Sequence, residues 1–275
     1  MTIKDIGTEE SQRTADGGSL RRGVMLLKIL ASAGTRGLAL IEICTRSGLP
    51  HPTVHRVLRQ LIAERLVARS DELKRYRLGP LAFELGMAGA TMYDIRDLCE
   101  DAMVKLLAET DDTVYLVVRS GFDAVCMHRL EGSFPIRALV LDVGSRRPLG
   151  VGAGGLALLA ALSDEERAEV IERVSPRLSP FRGVTPSVLE RASGRARQEG
   201  FAIIQDTVNL GVSAVGHAFR DGMGQPFGAL SVAALSHRMG RERLRRIGAL
   251  LQESCLEVER RLKLPGRNGW HCTPS

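Results

Sequence analysis

The sequence predicts an α+β chain in two parts: three helices closed by a β-hairpin, then a larger domain mixing helices with antiparallel strands. Two observations carry this. Apolar residues recur at helical spacing over most of residues 20–64, whereas short alternating segments separated by turn residues recur after residue 112. The charge is divided as well. Of 38 Lys/Arg and 32 Asp/Glu, residues 1–80 hold 14 and 8, and the remainder holds 24 of each, so the net charge of +6 resides in the first part.

Residues 1–19 are polar, contain Gly17-Gly18 and lack an apolar period, which predicts a disordered arm. The first helix is expected from Leu20, with Val24, Leu27 and Leu30 on one face, ending at Gly34 and Gly37. A second spans Leu40 to Arg46, and Ser47-Gly48-Leu49 turns the chain into a third, which starts at Pro52 and runs to about Glu64. Leu66–Arg69 and Arg75–Leu78 flank the polar turn Ser70-Asp71-Glu72 as a hairpin, which completes a module over 20–82. A linker helix is expected over 83–96.

The second domain is expected over 97–264. It opens with a helix at Asp97–Glu109, followed by strands at Thr113–Arg119, Ala124–Arg129 and Pro135–Leu141. Helices follow at Gly154–Leu162, after Ser163 and at Ser187–Glu199. Strands then recur at Phe201–Ile204, Ser213–Phe219 and Phe227–Ala234, before a long helix Arg241–Leu262. Residues 265–275, with the only tryptophan, Trp270, form a loose tail.

Composition narrows the function classes. No apolar run approaches the roughly 18–20 residues of a membrane span, and the N-terminus is not signal-like, so a soluble cytoplasmic protein is expected. The five cysteines, Cys44, Cys99, Cys126, Cys255 and Cys272, are scattered and odd in number, which argues against a disulfide framework or zinc site.

Helix, helix, turn, helix, hairpin is the order of a winged helix-turn-helix. The third helix buries Val54, Val57, Leu58 and Leu61 and presents Thr53, His55, Arg56, Arg59 and Gln60 on its other face. Arginine can pair with guanine and Gln60 with adenine, while Thr53 suits a thymine methyl or a phosphate. Arg69, Lys74, Arg75 and Arg77 on the hairpin could reach backbone phosphates, adding affinity without sequence information. Together with the location of the positive charge, this points to double-stranded DNA as a partner. A solvated polar face would show the same residues. His51 and His55 have a metal-compatible spacing but no evident third ligand, so no metal is expected.

The run LRRGVMLLKILASAGTRGLALIEICTRSGLPHPTVHRVLRQLIAERLVARSDELKRYRLGP closely resembles the N-terminal domain of IclR-type transcriptional regulators. Its most specific parts are Gly48 to Leu58 and the Tyr-Arg-Leu-Gly exit at Tyr76–Gly79. The resemblance continues through DTVYLVVRSGFDAVCMHRLEGSFPIR, GVGAGGLALLAALSDEE and EGFAIIQDTVNLGVSAVGHAFRDGMGQPFGALSVAA, and so covers about residues 20–264. It implies a linker helix, a GAF-like mixed α/β effector domain, and assembly into homodimers or homotetramers, with recognition helices from two subunits reading a pseudo-palindromic operator. It also implies that a small organic acid binds beside the glycine loop, in a pocket including Ala153, Gly154, Val212, Ala214, Ser231 and Ala233. Each apolar member could equally be core packing. The lysine often found in such a glycine loop is replaced by Gly155, and Ala214 stands where a polar residue often occurs. Both changes suit an acid with a larger, even aromatic, apolar body.

Gly150 to Gly155 satisfies G-x-G-x-x-G, but it follows Ser145-Arg146-Arg147-Pro148 rather than a buried parallel strand, so no dinucleotide cofactor is expected. Glycines that open a helix can instead leave N–H groups free for a carboxylate. Asp206 either orients an effector or starts a turn. Cys126 and His128 alternate and should share a strand face, but no orienting acid is evident and no catalytic motif is present, so the chain is read as a regulator rather than an enzyme. The alternative is a metabolite-binding protein or enzyme with only non-specific DNA binding.

Overall fold

The computed structural model describes residues 6–33, 36–90, 95–135 and 138–263, in two units, 1–91 and 92–275. The division falls inside the segment expected as a linker. The tail with Trp270 and Cys272 lies outside the described residues.

The first unit begins with α1 (Ile6–Ala31). The arm expected over 1–19 is thus helical from Ile6, while residues 1–5 lie outside the described residues. Glu9, Glu10, Gln12 and Arg13 are good helix formers. A helix backbone does not itself require an apolar period. A two-residue strand, β1 (Leu38–Ala39), then leads into α2 (Leu40–Ser47) and α3 (His51–Ala63). Gly48 ends α2 in the left-handed region, with φ +66°, and its N–H donates to Cys44 O at 2.9 Å. β2 (Val67–Ser70) and β3 (Arg75–Leu78) form the hairpin, and α4 (Pro80–Ala90) follows. The sheet order is β1-β3-β2, so β1, too short to show a period, is the third strand of the wing. Leu26, Leu30, Ile43, Val54, Leu58 and Tyr76 fill the core between helices and sheet.

The second unit is built on a six-stranded antiparallel sheet of order β6-β5-β4-β9-β8-β7. After α5 (Ile95–Thr110) come β4 (Thr113–Ser120), β5 (Asp123–Leu130) and β6 (Arg146–Pro148). Helices α6 (Ala153–Ala161), α7 (Asp164–Val174) and α8 (Pro186–Glu199) follow. Ser163 and Thr185 cap the last two by accepting from Glu166 N and Val188 N. β7 (Ala202–Gln205), β8 (Val212–Arg220), β9 (Pro226–Leu235) and α9 (Arg241–Leu262) complete the unit.

Strand alternation serves two cores at once. On β4, Val114 and Leu116 face α5 and α9, while Tyr115 and Val117 face the layer of α6, α7 and α8. On β9, Leu230 and Val232 take the first side, and Ala229 and Ala233 the second. The strand expected at Pro135–Leu141 is not present among its described residues. Side chains hold that segment instead. Tyr115 Oη donates to Ala138 O at 2.6 Å and accepts from Val140 N at 3.0 Å, and Arg129 Nη1 donates to Leu141 O at 2.9 Å.

Candidate nucleic-acid interface and a buried cleft

On α3 the apolar stripe Val54, Val57, Leu58 and Leu61 turns inward, which fixes the opposite face outward. His55, Arg56, Arg59 and Gln60 are exposed and, with Ala63, line one shallow concavity; Thr53, a turn earlier, is half-buried. On the hairpin, Arg69, Lys74 and Arg77 are exposed. Arg69 lies 5.8 Å from the centroid of the Tyr76 ring. Lys74 occupies the last turn position at φ +52°. Arg56, Arg59, Arg69, Lys74 and Arg77 make no ion pair with any described carboxylate.

Arg75 behaves differently. Its Nε donates to Arg36 O and Gly37 O, both at 3.2 Å, and its Nη2 to Gly37 O at 3.0 Å and Glu42 Oε2 at 2.8 Å. Glu42 also accepts from Ala39 N at 2.7 Å; that bond, then the Arg75 charge, holds its carboxyl below the usual carboxylate range. Arg75 therefore ties the turn before β1 to α2. It is not the free phosphate donor that its place on the hairpin suggests.

In the second unit, six of the seven expected effector residues converge. Ala153, Gly154, Val212, Ala214, Ser231 and Ala233 line one cleft of about 40 Å³ on the face of the sheet that α6 covers. Register explains the convergence: Tyr115, Ser231 and Gly216 form one row across β4, β9 and β8, with Thr113, Ala233 and Ala214 in the next. The start of α6 rests on Gly216, where a Cβ would stand 2.5 Å from Ala153 O, so only glycine permits this approach. Asp206 does not line the cleft. Its Oδ1 accepts from Gly211 N and Ser236 Oγ, both at 2.8 Å, and it has φ +52°: it closes the β7–β8 loop. Tyr115, Arg147 and Asn209 line the cleft and were not anticipated. A wider groove of about 980 Å³ between α8, β7 and the start of α9 contains none of the expected residues.

Two family descriptions match the chain. Residues 19–71 match the IclR helix-turn-helix domain, and residues 87–260 match the bacterial transcriptional regulator IclR C-terminal domain. The chain belongs to the IclR family of transcriptional regulators. It is 27% identical over 259 residues to the HTH-type transcriptional repressor AllR of Klebsiella pneumoniae, covering 94% of each chain. Among solved structures it resembles an IclR regulator from Alicyclobacillus acidocaldarius, with TM-score 0.70 and 24% identity over 88% of this chain and 98% of that one. It also resembles an IclR homologue from Microbacterium hydrocarbonoxydans complexed with 4-hydroxybenzoate, with TM-score 0.67 and 23% identity over 89% and 99%. The IclR fold and a helix-turn-helix directed at DNA are thereby shown.

Other side chains that could suggest chemistry in this IclR regulator have structural partners. A register shift opposite Leu116 and Val117 leaves Met127 as an extra residue on β5. Such a bulge reverses the alternation, so Cys126 and His128 take opposite faces instead of sharing one. Cys126 sits in the α6 core, and burial pushes its thiol up to about 11. His128 Nε2 lies 2.9 Å from Glu100 Oε2 on α5. His51 and His55 stack in parallel at 6.5 Å, and among the described residues no three His, Cys, Asp or Glu side chains are grouped to hold a metal. No helix among the described residues is long and apolar enough to cross a membrane.

Proposed function

We propose that this IclR regulator is a homo-oligomer that reads half-sites of a pseudo-palindromic operator with α3 of two subunits, and that a small organic acid bound in the cleft controls its affinity for that operator. Thr53, His55, Arg56, Arg59 and Gln60 read bases, and Arg69, Lys74 and Arg77 contact phosphates. The observation that supports this best is that five exposed cations on α3 and the wing pair with no carboxylate among the described residues. Such cations release counterions on meeting phosphate, which is the main source of sequence-independent affinity.

Ligand control is supported by the cleft, which no Asp or Glu lines among the described residues. Its volume of about 40 Å³ holds a few atoms, against the ~150 Å³ of an engineered cavity that takes up benzene. A short acid therefore fits it better than the aromatic body suggested by the sequence. Whatever the acid, it changes DNA affinity only by its differential affinity for the two states.

A salt-dependent anisotropy titration against fragments flanking the protein's own gene tests the reading. A fragment bound at least ~10³-fold tighter than random DNA, with the preference altered by one acid of a panel, is expected. Uniformly weak binding to all fragments, or turnover of the acid, would place the protein among metabolite-binding proteins or enzymes with non-specific DNA affinity.

A further inference from the structure

Resting on the effector reading above, we infer that Arg147 is the residue that recognises the ligand's charge, and that the cleft selects a singly charged carboxylate over both neutral analogues and dicarboxylates.

Arg146 and Arg147 are adjacent on β6, so they point to opposite faces. Arg146 is satisfied within the protein: Nε lies 3.3 Å from Asp123 Oδ2 and Nη2 donates to Ser120 Oγ at 2.8 Å. Arg177 also pairs with Asp123. Arg147 turns into the cleft and has no such partner. Among the described residues its one hydrogen bond runs from Nη2 to the Val140 carbonyl, and its guanidinium carbon stands 5.9 Å from the Phe181 ring centroid. Among the described residues no carboxylate lies within ion-pairing distance of it. Burial works against the charge, yet arginine does not give up its proton in a protein. The result is a largely buried cation without an anion, which is costly unless something supplies one.

The position of the guanidinium says what that would be. Nη1 lies 3.8 Å from where a Cβ on Gly152 would stand, and Gly152, at φ +82°, precedes α6 with no side chain to cap it. The arginine and the positive end of α6 thus face the same space, where a carboxylate could accept a two-pronged contact from the guanidinium. Across the first turn of α6, Ser231 Oγ lies 3.5 Å from where a Cβ on Gly154 would stand and makes no hydrogen bond with a described residue. The remaining walls carry one neutral amide, Asn209, and the Tyr115 ring, and are otherwise apolar, Val117, Val151, Ile204 and Val208 among them. One cation neutralises one carboxylate. A second carboxylate would be buried among valines and alanines with no counter-charge. Arg147 also holds Val140 O, so an anion that engages it acts on the Val140 and Leu141 wall of the cleft.

The test uses the full-length protein in calorimetric and thermal-shift titrations with acetate, glycolate, lactate and butyrate, their primary amides, and succinate. The best monoacid should bind at least roughly tenfold tighter than its amide and than succinate. Arg147→Gln should weaken that acid about 10- to 100-fold and leave the amide within threefold, with Arg147→Lys recovering part of the loss. Ala214→Leu, which fills the cleft, should abolish binding of both. If Arg147→Gln keeps a native melting profile and the full preference for acid over amide while Ala214→Leu abolishes binding, the role of Arg147 is refuted and the cleft reading survives. Binding that persists in Ala214→Leu, or no binding by any member of the panel, overturns both. Should Arg147→Gln fail to fold, a wild-type acid-to-amide ratio near one refutes the inference by itself.

Discussion

Replacing Arg75 with alanine separates two roles that wing cations can have. The guanidinium donates to Arg36 O and Gly37 O over 3.0–3.2 Å, and its side chain is 22% exposed. Hydrogen bonds from a charged donor contribute about 1.5–3 kcal/mol each when buried, and partial exposure reduces that, so the two carbonyls together give about 2 kcal/mol. The ion pair to the solvent-exposed carboxylate of Glu42 is omitted, because solvent screens it. Hydrogen exchange read by mass spectrometry isolates the effect: amides of α2 and β3 should open about 30-fold more often in Arg75→Ala. In a salt titration of DNA affinity the variant should keep the wild-type slope. Lys74→Ala should do the reverse, with unchanged exchange and a slope smaller by about one. Its φ of +52° is no obstacle, since alanine and lysine share the same cost there. A slope reduced by one in Arg75→Ala, with exchange at wild-type rates, would show that Arg75 holds a phosphate and that the bonds to the 36–37 turn are incidental.

Arg56→Ala should cost about 1–3 kcal/mol on the preferred operator and little on random DNA, measured by competition anisotropy. An equal loss on both would make Arg56 a phosphate contact. Gly216→Ala forces a methyl to within 2.5 Å of Ala153 O, so it should destabilise the second domain by about 1–3 kcal/mol and remove ligand-induced thermal stabilisation. Asp112, its side chain 2% exposed, accepts from Arg238 at 2.6 Å and Arg243 at 2.8 Å; Asp112→Ala leaves two cations facing each other and should cost about 3–5 kcal/mol in urea unfolding. Burial holds the Cys126 thiol at about 11 and Cys99 at about 12, so both stay protonated at pH 8. Alkylation of the native protein there should mark half-buried Cys44 and spare Cys99 and Cys126, with mass spectrometry of the digests as the readout.

Elements that bury one face were legible in the sequence, since burial imposes a period. Val54, Val57, Leu58 and Leu61 locate α3 and, by exclusion, the DNA-facing side chains. What escaped reading is held by features without a period. β1 has two residues and β6 three, each paired on one side only, too short for an alternation to show. The alternation of residues 135–141 suggested a strand, yet Tyr115, Arg129 and Arg147 secure the described part of that segment through its carbonyls and one N–H. Strict alternation from Cys126 to His128 failed at the single extra residue Met127, a change that only the pairing register reveals. The cleft itself was placed by resemblance; on periodicity alone, Ala214 and Ala233 are ordinary inward-facing strand residues.

Charge shows the same division between what a sequence states and what a fold decides. The sequence counts arginines, but pairing determines which are available. On the hairpin, Arg75 and Arg77 lie two residues apart, and Glu42 with the 36–37 carbonyls takes one and leaves the other. On β6, Arg146 and Arg147 are neighbours, and Asp123 takes one and leaves the other. The unpaired members mark the two places where this protein is proposed to meet an anion from outside, a phosphate backbone in one domain and a carboxylate in the other. An unpaired cation on an open surface is inexpensive and common, so Arg77 gains meaning only from the recognition helix in its own domain. An unpaired cation inside a cleft carries a desolvation cost whether or not a ligand is bound, which makes Arg147 the stronger pointer to function of the two.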